Sequence, residues 1–146
     1  MAITAGRHYR DIGQSNKARK AGRVNIETAL KEAMAIDGAL GVCLVDWDSG
    51  MCLGALGGGK YLDLDVAAAG NTEVIRAKMR TMESLRFDDT IEDILITLGK
   101  QYHLIRLLSN ADGAQNMFLY LVLDRGKANL ALARHQLKRI ETNLSI

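Results

Sequence analysis

Apolar and polar positions alternate along this chain with two periods, and the changes of period divide it into eight elements. Over VNIETALKEAMAIDG, apolar side chains recur at Ile26, Leu30, Ala33 and Ile36, a helical spacing. Asn25 precedes the run as a cap and Gly38 follows it as a stop, so a helix is predicted over about 24–37. ALGVCLVDW and MCLGALG are short and rich in β-branched and apolar residues. Asp48-Ser49-Gly50 separates them, and Gly50 can take positive φ, which reads as a hairpin.

The next segment, YLDLDVAAAGNTEVIRAKMRTMESL, is helical by period, with Asp63 or Asp65 as its cap. Leu64, Ala68, Ile75, Met79 and Met82 fall on one face. Val66, Ala69 or Gly70, Val74, Ala77 and Thr81 fall on another. A helix with two apolar faces needs two neighbours. One is a sheet, and the small residues of the second face suit another helix, from a second subunit.

Three strands follow: TIEDILITLGK, QYHLIRLLS and NMFLYLVLD. The last is the most apolar and is expected at the sheet centre, covered on both faces. NADGAQ reads as the turn before it. KANLALARHQLKRIETNL closes the chain as a helix with Leu130, Ala133, Leu137, Ile140 and Leu144 inward. The order is α-β-β-α-β-β-β-α. Short connections make consecutive strands antiparallel, so the expectation is an α+β fold: one sheet between helices.

Composition fits that picture. The chain has 146 residues, 48% hydrophobic and 25% charged, enough for one domain with a core. No apolar run approaches a membrane span, and the N-terminus has no apolar signal core, so a cytoplasmic protein is expected. Cys43 and Cys52 lie in apolar strands and are expected as buried thiols. The charge is uneven. Residues 1–23 hold six basic residues against Asp11 alone, a net +5, while the remainder, with 13 basic and 16 acidic residues, comes to −3. A basic arm (1–23) therefore leads into a mildly acidic domain (24–146). KARKAGR contains no aromatic residue for stacking on bases, which counts against nucleic acid. Asp88, Asp89, Glu92 and Asp93 form an acidic cluster, read as a solvated edge that could also receive the arm.

GALGGGKY matches all but the last position of the phosphate loop G-x-x-x-x-G-K-[ST]. Tyr61 stands where the hydroxyl that binds magnesium should be, and Asp63 and Asp65 would repel a phosphate. FLYLVLD looks like a magnesium-holding strand end, but consecutive antiparallel strands are the wrong topology for it. His8, His103 and His135 are scattered without metal-ligand spacing, so no metal or other cofactor is expected.

IDGALGVCLVDWDSGMCLG, LDLDVAAAGNTEVIRA, EDILITLGKQYHLIRLL and FLYLVLDRGKANLALARHQLKRIE together, in this order, resemble the Roadblock / dynein light chain domain, its bacterial branch above all. The likeness spans about residues 24–145. It implies a profilin-like architecture: a five-stranded antiparallel sheet, the long second helix on one face, the first and last helices on the other. It implies a homodimer in which the middle strand, about Ile91–Leu98, pairs with its copy and the second helices lie side by side. Val74, Ala77, Thr81, Ile91, Ile94 and Ile96 would form that interface. It also implies a non-enzymatic regulator or scaffold of a small Ras-like GTPase, with a sensor-kinase-like protein as a further partner. The exposed polar positions of the second helix, Glu73, Arg76, Lys78, Arg80 and Glu83, would meet the GTPase. Relatives carry Ile-Arg-Pro-Leu where this chain has Ile105-Arg106-Leu107-Leu108, and the hairpin turn WDSG is longer than theirs by one residue. Two other readings stand beside this one: a structural dimer whose arm binds nucleic acid or membrane, and a nucleotide-binding protein built on Gly54–Lys60.

Overall fold

The computed structural model describes residues 23–109 and 116–146. The arm 1–22 and the turn at 110–115 lie outside the described residues. Helix α1 (Ile26–Met34) leads into β1 (Ala39–Asp46) and β2 (Met51–Gly57); α2 (Leu64–Ser84) precedes β3 (Asp93–Thr97), β4 (Gln101–Leu107) and β5 (Met117–Asp124); α3 (Leu130–Asn143) ends the chain. The five strands form one antiparallel sheet ordered β2-β1-β5-β4-β3.

β5 is central, as its apolar run requires. Phe118, Tyr120 and Val122 join Cys43, Val45 and Ile105 under α2. Leu119, Leu121 and Leu123 join Val42, Leu44 and Leu104 under α1 and α3. The two periods thus meet: alternate strand residues feed two cores, each closed by helix residues at 3.6-residue spacing. From α2 these are Leu64, Ala68 and Ile75, the face named from the sequence. From α3 they are Ala133, Leu137 and Ile140.

Each helix starts at a side-chain cap. Asn25 accepts the N–H of Thr28, Asp63 those of Asp65 and Val66, and Asn129 that of Leu132. Each such cap contributes about 1 kcal/mol. α1 is shorter than predicted because Val24 leaves the helix to bridge Leu144, and the chain turns at Gly38, φ +84°. β3 is also shorter. Ile91 tucks under α2 ahead of the strand, and Leu98 donates its N–H to the Gln101 carbonyl across the turn to β4.

Two further expectations are corrected. Asp93 is not part of a solvated acidic edge: its carboxylate is largely buried and takes both Arg134 Nε and Nη2, at 2.9 and 2.8 Å. Arg106 Nη1 stands 3.8 Å from the same group, and Arg106 Nε binds Glu141 at 2.8 Å. Asp88, Asp89 and Glu92 do remain exposed. Cys52 is half-buried rather than buried; Cys43 is buried, and both are free. His103 is held at both ring nitrogens, by Gln101 and by the Tyr120 hydroxyl.

Candidate functional site

The phosphate-like loop can be judged from its own hydrogen bonds. Gly57, Gly58 and Gly59 all have positive φ, which reverses the chain from β2 toward α2. The Gly58 N–H donates to the Leu40 carbonyl and the Gly59 N–H to that of Leu62, which in turn donates its N–H to Gly59. The Asp63 carboxylate occupies the first amides of α2. Amides that would cradle a phosphate are therefore already engaged, and the helix dipole already has its anion. Lys60 is exposed, with Nζ 5.7 Å from the centroid of Tyr61's ring, itself 95% exposed.

The outer face of α2 is different. Val66 is 68% exposed and Val74 39% exposed, with Ala69, Gly70, Ala77 and Thr81 also open along the same stripe. A side chain added at Gly70 would meet nothing within 4 Å. Beside this small-residue stripe lie Glu73, Lys78, Arg80 and Glu83, all exposed. Arg76 is not a free cation. It pairs with Glu73 at 3.1 Å and donates to the Asp48 carbonyl in the β1–β2 turn. Asp48 also accepts Asn116 Nδ2 at 2.7 Å, so Arg76 is a strut between α2 and the hairpin.

β3 is an edge strand: it pairs with β4, and its other edge carries no strand among the described residues. Ile94 and Ile91 pack partly against the core under α2, so they are shared with the fold; Ile96 is half-buried. The six residues read as an interface therefore lie on two features, the outer stripe of α2 and the β3 edge with its entry.

Beyond the residues singled out from the sequence is an apolar pocket of about 510 Å³ at the C-terminal end of α2. Trp47, Met79, Met82, Phe87, Ile91 and Met117 line it, with Glu83 and Asp89 at the rim. Its geometry follows from how α2 ends. Arg86 takes a left-handed conformation, φ +57°. Its N–H bonds the Glu83 carbonyl and that of Phe87 bonds Met82, which brings Phe87 against Met82. The signal in the sequence was Phe87 itself, an aromatic in the polar run RFDD.

An antiparallel β2-β1-β5-β4-β3 sheet with α2 on one face and α1 and α3 on the other is the Roadblock/LC7 fold. No family model matches the chain, and no curated protein matches it. Solved structures do. The Roadblock/LC7 domain from Streptomyces avermitilis superposes with a TM-score of 0.65 over 81% of this chain and 92% of that one, at 11% identity. Myxococcus xanthus MglB gives 0.63 over 80% and 85%, at 17% identity. The gliding protein mglB from Thermus thermophilus gives 0.59 over 85% and 89%, at 19% identity. At these identities the likeness is one of fold. No helix among the described residues is long and apolar enough to cross a membrane.

Proposed function

We propose that this protein is a homodimeric, non-enzymatic regulator or scaffold that binds a small Ras-like GTPase and modulates its nucleotide cycle. Residues 24–146 form the Roadblock-like domain and 1–23 a basic arm. The observation that carries this reading is the exposed small-residue stripe of α2 together with the open edge of β3. An uncovered strand edge and an uncovered apolar helix stripe are liabilities unless a partner covers both. Val74, Ala77 and Thr81 on α2, with Ile91, Ile94 and Ile96 at β3, serve the second copy. A solved MglB described as having a tetrameric arrangement, with a TM-score of 0.65 at 19% identity, supports self-assembly of this fold.

Glu73, Lys78, Arg80 and Glu83 then lie along the paired α2 helices and meet the GTPase, with Arg76 holding the hairpin beside them. A sensor-kinase-like protein is a further partner, and the site of action is the cytoplasm, including the inner face of the membrane through such partners. The fold shared with two MglB proteins supports this assignment. The engaged amides of Gly58 and Gly59 speak against nucleotide binding by the chain itself.

The test is GTP turnover by bacterial Ras-like GTPases with and without equimolar protein. A rate change, weakened at least tenfold by K78E/R80E, is expected. No complex by gel filtration and no change in turnover or nucleotide release with any of them would refute the reading.

A further inference from the structure

The apolar pocket at the end of α2 has an open, acidic rim. Glu83 and Asp89 border it and Asp88 and Glu92 flank it; all four are exposed, and none pairs with a cation among the described residues. Like charges gathered beside an uncovered apolar surface favour a cationic, partly apolar ligand.

The chain carries such a segment, and the fold fixes where it begins. Val24 bonds the Asn143 carbonyl and bridges Leu144, while Arg23 Nη1 reaches the Leu144 carbonyl at 3.3 Å. The last turns of α3 lie over the end of β4, because Glu141 binds Arg106. Leu107 and Leu108, the next residues of that strand, line the pocket. The arm therefore leaves the fold on the α1–α3 face, toward the same end of the sheet at which the pocket opens on the α2 face. Lys17, Arg19 and Lys20 stand within seven residues of Val24, a reach of about 25 Å, and Tyr9 and Ile12 come before them.

We infer that the pocket is the docking site of the chain's own basic arm, with Lys17, Arg19 and Lys20 on the acidic rim and Tyr9 or Ile12 over the apolar floor. This contact shares Glu83 with the GTPase surface and Ile91 with the dimer interface proposed above, and its test reads the pocket itself rather than GTP turnover. It weakens with an anionic competitor or with salt.

Trp47 is the only tryptophan and lines the pocket, so its fluorescence reports the contact directly. Acrylamide quenching of the full chain is compared with K17E/R19E/K20E, with E83K/D89K, and with the two sets combined. Each set alone is expected to raise the quenching constant about twofold, and the combination, which restores complementarity, to return it to the starting value. Raising sodium chloride from 50 to 500 mM on the unaltered chain should give the same increase, a measurement that needs no variant to fold. A constant unmoved by either charge set and by salt overturns the proposal. So does one that follows protein concentration but not the arm, which assigns the pocket to a second copy. Failure of the combined variant to recover while remaining folded by circular dichroism also overturns it.

Discussion

Arg106 Nε lies 2.8 Å from Glu141 Oε1 with the Glu141 side chain fully buried and that of Arg106 only 7% exposed. This pair fastens α3 to β4, and Arg106 passes on toward Asp93, which Arg134 of α3 grips from outside. Removing one partner takes the nearest opposite charge from the other in a buried setting. R106M or E141Q alone should therefore destabilise by about 3 kcal/mol in urea unfolding, while R106M/E141L, which removes both charges together, should recover part of it. If the double variant were as unstable as either single one, packing rather than charge would be the cause.

A second, part-buried contact makes stability depend on pH. His103 Nδ1 stands 2.8 Å from the Tyr120 hydroxyl, and Nε2 2.9 Å from Gln101 Oε1. Burial holds the imidazole below its ordinary pKa of 6.5. Burial likewise pushes the Tyr120 hydroxyl up, with a hydrogen bond from Asn71 opposing it. Below pH 6.5 the unfolded chain binds the histidine's proton more readily than the folded one. The contribution is therefore whole above 6.5 and declines as pH falls from there through the lowered folded value. The urea midpoint should drop between pH 7.5 and 5, and H103Q should make that drop smaller. An equal drop in H103Q would assign the dependence to carboxylates elsewhere.

The end of α2 offers a stabilising change. Arg86 occupies the left-handed position that closes the helix, where a side chain costs about 1–2 kcal/mol. R86G removes that cost and adds a smaller one through the freer unfolded chain. A net gain of about 0.5–1 kcal/mol is expected by thermal unfolding, with Phe87 still against Met82. A loss would mean that the Arg86 side chain makes contacts worth more than the backbone strain.

Most of this fold was legible in the sequence because each element follows its own rule. The apolar run of β5, the cap Asn25, and the buried face of α2 were readable from the sequence alone, and Asp63 was one of the two caps it offered. What escaped depends on distant residues. Nothing local to Asp93 says that Arg134, 41 residues on, will cover it, so it read as solvated beside Asp88 and Asp89. Arg76 read as a free surface cation because Asp48 lies 28 residues away in another turn. The pocket is harder still: it joins Trp47 and Phe87 from two connections with Met117 at the start of β5. The α2 stripe was readable as a second apolar face, but its exposure only becomes meaningful once the sheet is shown to cover the first.

The glycine loop gives a negative test. A Cβ at Gly57 would stand 2.6 Å from the Leu40 carbonyl oxygen, and one at Gly58 2.8 Å from that of Leu62, both at positive φ. G57A and G58A should each destabilise by about 1–3 kcal/mol, since backbone must move. K60A, at an exposed position, should change stability by less than about 0.5 kcal/mol. Calorimetric titration with GTP and ATP should show no heat of binding for the unaltered chain. Micromolar binding abolished by K60A would reinstate the phosphate-loop reading.

The outer stripe of α2 is tested by placing charge where only a second helix would object. In the protomer, Val74 is 39% exposed and Ala77 is exposed, so neither V74E nor A77E disturbs the core. In a dimer built on this stripe, each would put two carboxylates into a closely packed, desolvated contact, at a cost of several kcal/mol per dimer. The mass by light scattering should be about twice the 16.0 kDa of the chain, and V74E/A77E should reduce it to one chain while circular dichroism stays unchanged. R80E, beside the stripe, should keep the dimer mass yet weaken GTPase binding, which separates the two surfaces. A chain that already runs as a monomer at micromolar concentration would remove the dimer, and with it the paired-helix platform on which the GTPase reading stands.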